Sequence, residues 1–582
     1  MAHAQTAAAV TIQVDAAGAG TPLEPVWAFY GYDEVNYTTS ADGEALLRTL
    51  VAAHRTPVHV RTHFLFNTGD GSPALKWGST NLYSEDAAGN AVYDYTLIDQ
   101  IMDATARAGA FPLVELGFMP QALSTRPNPY QNSNTYTLDG GCFYPPRDYD
   151  AWAKLVTAWA RHVKERYPGA EANWQWELWN EPDIGYWRGT FDEFARLYDY
   201  TEAALHAVFP AASLGGPAVA NPEGTFLTQF LEHCATGTNA VTGQTGTRLD
   251  MVNFHAKGGV GIDSGHIQMD LGNQLRLHRA GFAAVAASPA FAHTPIVISE
   301  ADPDGCAACP VSTAPHHAYR NSPAYGAYEL AMMKRSLELA AQTGVQLRGV
   351  LTWAFTFPDS PYFAGYRALT TNGIRLPVLN ALTMLGSLNG EQVSVTSSGA
   401  LPLPDILENG VRQQPDVDAL AVRDGERIQI LVWHYHDELV DAPAVPLTLE
   451  VAVPSGFGAN ALVTHTRVDE THGDAFTVWV AQGSPEAPTA VQLAALQEAM
   501  LPGMLAREQV TPVASGAVRL AFDLPRFGVS LLTLVPQSES ATSPSGASCS
   551  CGLTAPAQKS LSALWALLLA FARRRGSPPQ SG

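Results

Sequence analysis

The sequence predicts an α/β protein, a (β/α)8 barrel followed by an antiparallel β-sandwich. Three observations carry that expectation. Between residues 26 and 355, eight short β-rich runs alternate with helical stretches. Most of those runs are almost continuously apolar, as parallel strands covered on both faces must be. Beyond residue 385 the pattern changes to apolar–polar alternation with turn residues between, the period of strands with one buried face.

Taken in order, residues 1–20 form an N-terminal segment in which 10–14 alternates and reads as an extra sandwich strand. The barrel is expected over 21–385, with strands at 26–31, 58–64, 112–118, 173–179, 213–216, 251–255, 295–299 and 349–355. Segments 151–166 and 191–208 carry apolar residues at helical spacing and supply covering helices. The sandwich is expected over 386–537, with strands at 393–396, 418–423, 427–435, 446–453, 461–468 and 518–524. Its aromatics Trp433, Tyr435 and Trp479 are too scattered to form a sugar-stacking platform, so the second domain is expected to buttress the first.

Composition narrows the function. The 582 residues include 34 Lys+Arg against 55 Asp+Glu, a net charge of −21. No basic cluster exists in the body of the chain to neutralise phosphates, so a nucleic-acid partner is excluded. With 46% hydrophobic and 15% charged residues the chain can bury large cores and is not disordered. Its 49 Gly and 40 Pro fall without a repeat, which excludes collagen and solenoid arrays.

In a barrel of this kind chemistry sits at the C-terminal ends of the strands. Those positions hold Asp33 and Glu34, His63, Met119-Pro120, Asn180-Glu181-Pro182, His255, Glu300 and Trp353. Two carboxylates facing one another across the mouth are what glycoside hydrolysis requires: one protonates the leaving oxygen and the other attacks the anomeric carbon. Glu181 after the fourth strand and Glu300 after the seventh fit that requirement.

The same residues carry a resemblance. Asn180-Glu181-Pro182 with Glu300 is similar to the motif of the large clan of retaining barrel glycosidases. Within it, the chain resembles glycoside hydrolase family 39, whose members are β-xylosidases and α-L-iduronidases. The matching stretches are Arg61-Thr62-His63-Phe64, Phe118-Met119-Pro120, Trp179-Asn180-Glu181-Pro182-Asp183, His255-Ala256-Lys257-Gly258 and Glu300-Ala301-Asp302-Pro303. The resemblance implies Glu181 as general acid/base, Glu300 as nucleophile, and Asn180 on the sugar 2-hydroxyl. It further implies His63 and His255 as sugar-contacting or Glu300-orienting groups, and Trp353 as a stacking floor. Lys257, Asp359 and Arg367 match positions that read the iduronate carboxylate or hold the sugar. Bacterial β-xylosidases share those stretches, and the two sugars differ only at C5. The longer agreement over Lys76-Trp77-Gly78-Ser79-Thr80-Asn81 and Gly305-Cys306-Ala307-Ala308-Cys309 resembles the β-xylosidase branch. The implied activity is release of terminal β-D-xylose from xylo-oligosaccharides by double displacement, with α-L-iduronidase as the alternative and a non-catalytic surface carbohydrate-binding protein as a third. No cofactor and no metal are expected.

Both ends read as targeting segments. Residues 538–560 form a Ser/Pro/Cys linker ending near Cys549 and Cys551, and 561–582 hold a short apolar run and Arg573-Arg574-Arg575. The run at 561–572 is shorter than the ~20 residues of an ordinary span. This order resembles the sorting tails of myxobacterial surface proteins, which implies export, transient membrane anchoring and a processing peptidase. At the other end, Ala2-His3-Ala4 has the form of a signal-peptidase site without the preceding apolar region, so the start reads as lying inside a longer precursor or as an Ala-rich disordered start. In an exported chain Cys306 and Cys309 are expected to close a small disulfide.

Overall fold

The computed structural model describes residues 8–131 and 139–537. The targeting segments read at 1–7 and 538–582 lie outside the described residues. No helix among the described residues is long and apolar enough to cross a membrane.

Eight parallel strands close into a barrel: β1 (Phe29–Tyr32), β2 (His59–Thr62), β3 (Phe111–Leu116), β4 (Gln175–Leu178), β5 (Ser213–Val219), β6 (Met251–Lys257), β7 (Ile296–Asp302) and β8 (Leu347–Trp353). β8 pairs back onto β1 through Leu351 opposite Phe29, which completes the ring. All eight expected strands are present, shifted by a few residues at their ends. Residues 173–174 are the instructive shift, because the helical turn Ala170–Asn173 takes the first of them before β4 begins.

Helix starts follow local chemistry. Asp148 accepts from the backbone N–H of Asp150 and Ala151 and opens helix Tyr149–Arg166. Thr190 and Glu193 cap each other's backbone in a capping box and open Phe191–His206. In both helices the buried residues recur at helical spacing, Trp152, Leu155, Val156 and Trp159 in the first, Phe194, Leu197, Tyr198 and Thr201 in the second.

The barrel interior is layered along the strands. Phe29, Leu113, Met251, Val297 and Leu351 form an apolar plug toward the N-terminal end, with Trp353 packed on it. Two residues further along β3, the inward position changes from Leu113 to Glu115, and along β6 it changes from Met251 through Asn253 to His255, all fully buried or nearly so. The upper layer is therefore charged, and it rests on a dry base.

Eleven further strands form one sheet folded around a second apolar core, and six more pair in three two-stranded ribbons. That sheet is mixed, not purely antiparallel: Val10–Asp15 runs parallel to Val445–Ala452 and antiparallel to Ser394–Ser397. Its partners lie some four hundred residues away, so no hairpin dictates its direction. Four strands absent from the expectation complete the sheet, Gly503–Ala514, Val529–Pro536 and the two-residue strands Thr21–Pro22 and Glu391–Gln392. Gly503–Ala514 is exposed along most of its length, which removed the alternation that marks a strand. Trp433 and Tyr435 are buried, and Trp479 packs on Phe363 and Phe476, so none of the three offers an open stacking face.

Barrel and sandwich share one compact unit ending at Gln537. Their seam is partly ionic: Lys334 and Arg335, on helix Pro323–Thr343, reach Asp418 Oδ2 at 2.5 and 3.0 Å, and Arg335 also reaches Asp416 Oδ1 at 2.8 Å. That helix lies directly before β8, so the sandwich fixes the wall that carries Trp353.

Gly31 in β1 makes room for the Trp353 ring. A Cβ there would stand 2.5 Å from two ring carbons and 2.9 Å from the Arg61 carbonyl. Gly31→Ala is expected to lower the free energy of unfolding by about 1–3 kcal/mol through overpacking, measured by chemical denaturation.

Candidate active site

The mouth is assembled around one buried cation. Arg61, at the third position of β2, is fully buried, and every nitrogen of its guanidinium finds an oxygen from another strand. Nε donates to Glu177 Oε1 at 2.5 Å, Nη1 to Glu300 Oε1 at 3.0 Å and Nη2 to Asn180 Oδ1 at 3.0 Å. Glu115 Oε2 lies 3.4 Å from Nη2. Strands β3, β4 and β7 are thus tied to β2 through a single side chain.

The turn after β4 places the first catalytic candidate. Trp179 and Glu181 both hold left-handed backbone, with φ of 67° and 44°, on either side of Asn180. Non-glycine residues pay for that conformation with strain, so it persists only where surroundings hold it. Here the Glu181 N–H donates to the Ala218 carbonyl at 2.9 Å, and the Asp183 carboxylate accepts from the N–H of Ala220 at 2.7 Å and Asn221 at 2.9 Å. The Trp179 ring is fully buried against Phe118, Trp152 and Trp187. The result aims Asn180 and Glu181 together into the mouth. Asn180 Nδ2 has no partner among the described residues, a donor free for a ligand.

Glu300 stands opposite, on β7. Its Oε1 meets Arg61 and also His63 Nε2 at 3.2 Å, and its Oε2 accepts from Lys257 Nζ at 2.5 Å. Burial alone would raise its carboxyl; His255, Lys257 and His63 override burial and hold it well below the usual carboxylate range. An ionised carboxylate with both oxygens oriented is the required state of a nucleophile.

His255 connects the two glutamates. Its Nδ1 is 2.9 Å from Glu181 Oε1 and 3.7 Å from Glu300 Oε1. One oxygen or nitrogen from each of Glu181, His255 and Glu300 falls within 4.8 Å of the others, the only such grouping among the described residues. Although an ion could be fitted to that spacing, the Lys257 ammonium and Arg61 guanidinium already supply positive charge to Glu300. The arrangement is that of a catalytic pair.

The structure thus brings together Asn180, Glu181, His63, His255, Lys257 and Glu300. Trp353 lies beneath them, almost wholly buried, with its ring 4.4 Å from that of His63 and 5.2 Å from the Arg61 guanidinium; it packs under the charged groups. Arg367 is placed differently from the expectation of a free carboxylate reader. It is 1% exposed, its Nε donates to the Trp353 carbonyl at 2.8 Å, and Nη1 donates to the backbone and carboxylate of Asp304. Its Nη2 lies 3.6 Å from Asp302 Oδ2. Asp359 is exposed after β8 and shares no described contact with either glutamate; its charge instead helps to raise the Tyr37 phenol, behind burial and Glu34.

Several residues of the site were not singled out in the sequence. Arg61, Glu115 and Glu177 occupy inward positions of strands that otherwise read as apolar core, and a charged residue there is the signal that could have found them. Asp302 and Asp304 hold Lys257 and Arg367 in place: Asp302 Oδ2 accepts from Lys257 at 2.8 Å. Asp304 is also clasped by Arg320 at 2.7 Å. Arg320 is itself caged by carbonyls of the Cys306–Cys309 loop, which is closed by a disulfide.

Two expectations follow. Arg61→Met leaves Glu115, Glu177 and Glu300 buried without their shared cation and should cost about 3–5 kcal/mol of stability, read by denaturant unfolding. Second, burial opposes a charge on His63, but Glu115, Asp33 and Glu300 raise its pKa from 6.5 to about 9. A histidine raised by folding stabilises the native state fully below its unfolded pKa and loses that contribution as pH climbs through the folded value. Burial likewise pushes the Glu115 carboxyl up to about 7, so alkali works in the same direction. Thermal melts should therefore show stability falling between roughly pH 6.5 and 9.5, with a shallower fall in His63→Gln.

Comparison with known proteins agrees with this geometry. The family model described as "Glycosyl hydrolases family 39" matches residues 10–517. A beta-xylosidase of Geobacillus stearothermophilus is 24% identical over 471 residues, 76% of this chain and 80% of that one. An alpha-L-iduronidase of Canis lupus familiaris is 27% identical over 570 residues, 92% of this chain and 79% of that one. Among solved structures, a monomeric beta-xylosidase from Caulobacter crescentus superimposes with a TM-score of 0.70 at 22% identity, covering 91% of this chain and all of that one. With a family model spanning nearly the whole described body and the paired glutamates in place, the chain is a glycoside hydrolase and belongs to glycosyl hydrolases family 39.

Proposed function

We propose that this chain is a retaining exo-glycosidase that releases terminal β-D-xylose. The observation that carries the mechanism is the approach of the Glu181 and Glu300 carboxyl oxygens to within 4.8 Å. Retaining enzymes hold their carboxyl groups ~5–5.5 Å apart, whereas inverting enzymes leave room for a water at ~6.5–9.5 Å. Glu300 attacks the anomeric carbon while Glu181 protonates the departing glycosidic oxygen, giving a covalent glycosyl-enzyme. Glu181, now a carboxylate, then takes a proton from water, which attacks the anomeric carbon and frees Glu300. The unpartnered Asn180 Nδ2 is available to the sugar 2-hydroxyl, where a hydrogen bond strengthens at the transition state.

The choice of sugar rests on Arg367. An iduronate carboxylate needs a strong donor at C5, and Arg supplies one bidentately when its fork is free. In this chain the guanidinium is buried, its Nε and Nη1 are spent on the carbonyls of Trp353 and Asp304 and on the Asp304 carboxylate, and its Nη2 lies 3.6 Å from Asp302 Oδ2. A pentopyranose, which has no C5 substituent, asks nothing of it. The beta-xylosidases among the relatives support the same reading.

Export and attachment to the cell surface through the 538–582 tail are part of the proposal. A disulfide at Cys306–Cys309 supports them, because such bonds persist in oxidising compartments.

The test is turnover of an aryl β-D-xyloside and an aryl α-L-iduronide by the purified chain. Xyloside turnover with β-xylose as first product, abolished in Glu300→Ala, is the expected result. Glu181→Ala should lower kcat by about 10²–10⁴-fold on substrates with poor leaving groups, and much less on activated aryl xylosides. Turnover of the iduronide alone would make Lys257 the carboxylate reader and overturn the sugar assignment.

A further inference from the structure

We propose that Lys76, on the loop after β2, is a positioning residue for the nucleophile and acts on Glu300 through Asp33 and His63. The proposal rests on the reading of Glu300 as the nucleophile.

The contacts run without a gap. Lys76 Nζ is ion-paired with Asp33 Oδ2, and Asp33 Oδ1 lies 2.8 Å from His63 Nδ1. The other ring nitrogen of the same histidine, Nε2, lies 3.2 Å from Glu300 Oε1. Asp33 and His63 are both almost completely buried, and 14% of the Lys76 side chain is exposed. Three charges of alternating sign therefore stand between the loop and the reacting oxygen.

The loop is built to present Lys76. Its backbone is left-handed, with φ of 54°, a conformation that costs a non-glycine residue energy. Two sets of contacts hold it there. The Lys76 N–H donates to Glu34 Oε1 at 2.9 Å, and Asn36 pairs both ways with Ser79, donating from Nδ2 to its carbonyl and accepting its N–H on Oδ1, each at 2.9 Å. The turn after β1 thus grips the loop after β2, and the lysine is fixed against the aspartate that neighbours it. A lysine needed only for solubility would not be held this way.

Electrostatics give the chain a direction. The Lys76 ammonium, against the opposing effect of burial, keeps Asp33 ionised well below the usual carboxylate range. An ionised Asp33 is one of the groups that hold His63 as a cation, and the cationic ring places Nε2 3.2 Å from Glu300 Oε1. Glu300 is faced by Arg61 and His63 from β2, by His255 and Lys257 from β6, and by Glu181 from the turn after β4. His63 is also faced by Glu115 from β3 at 3.2 Å and by Arg61 Nη1 from its own strand at 2.9 Å, and Asp33 by Glu34. Removing the lysine charge lets Asp33 take up a proton. His63 then loses one anionic partner, and Glu300 becomes easier to protonate.

The experiment compares wild type with Lys76→Met, Lys76→Gln and Lys76→Arg in the full chain, with thermal melts to identify folded variants. The first readout is the rate of inactivation by a 2-deoxy-2-fluoro-β-D-xyloside, which isolates glycosylation of the enzyme, with mass spectrometry of the labelled peptide. The second is the acid limb of kcat/KM, which reports ionisation of the free enzyme. The uncharged variants are expected to inactivate about tenfold more slowly at neutral pH and to move the acid limb up by about one pH unit, equivalent quantities at 1.36 kcal/mol per unit. Lys76→Arg is expected to restore both. Label on Glu300 with unchanged rates and limb in a folded Lys76→Met or Lys76→Gln overturns the proposal alone. A raised KM with unchanged kcat and limb also overturns it, making Lys76 a ground-state sugar contact. Label on a peptide without Glu300 overturns the underlying nucleophile assignment instead.

Discussion

The Arg61 guanidinium holds the upper barrel together. Three buried glutamates and an asparagine, borne by three other strands or the turn after one, converge on it; Glu115 and Glu177 have no access to water and Glu300 keeps only 6% of its side-chain surface. A charge taken out of water into protein costs several kcal/mol unless it is paired and hydrogen-bonded. The strands of a barrel can carry inward acids at all only if one cation reaches each of them, and the planar fork of arginine reaches in three directions where an ammonium could not. Everything above the apolar plug is arranged around that fact. Asn180 has its orientation fixed because its oxygen is spent on Arg61, which leaves its buried nitrogen without a partner among the described residues.

A second, parallel arrangement supports the β7–β8 side. Arg367 and Arg320 share Asp304, Arg367 and Lys257 flank Asp302, and Lys257 reaches Glu300. The disulfide loop closes this cage from outside by turning its carbonyls onto Arg320. Glu300 therefore has each oxygen governed by a different network, Oε1 by the β2 side and Oε2 by the β6–β8 side. Such double control fixes the plane of the carboxylate, and a nucleophile must present one lone pair along the line of attack.

How much of this was legible in the sequence follows from the range of the interactions involved. The barrel was legible because each strand is a local apolar run, and Asn180, Glu181 and Glu300 were legible because each follows such a run directly. Arg61, Glu115 and Glu177 are equally local but sit inside the runs, where a period-two reading takes the inward position to be apolar. Lys76 and Asp33 are joined only when two loops pack together, and nothing in either segment announces the pairing. Arg367 shows the opposite case: its position matches a ligand contact, yet Asp302 and Asp304 crowd it, and only the folded arrangement reveals that its Nε and Nη1 are already engaged. The sandwich strand Gly503–Ala514 escaped notice because most of its residues face solvent on both sides.

The pairing of Arg367 with acids bears on how one barrel can serve two substrates within a family. The ring atoms C1 to C4 of a β-xyloside and an α-L-iduronide have the same configuration, so the Arg61 network, Asn180 and the two glutamates need not change between them. What must change is the balance of charge beside C5. Asp302 and Asp304 stand against Arg367 and Lys257 on that side of the pocket, so an added carboxylate would meet cations already paired with acids. A burial cost of several kcal/mol for an unpaired carboxylate then discriminates against the uronide more strongly than any contact favours the xyloside. On the proposed reading, specificity at C5 is set by the acids that occupy the cations.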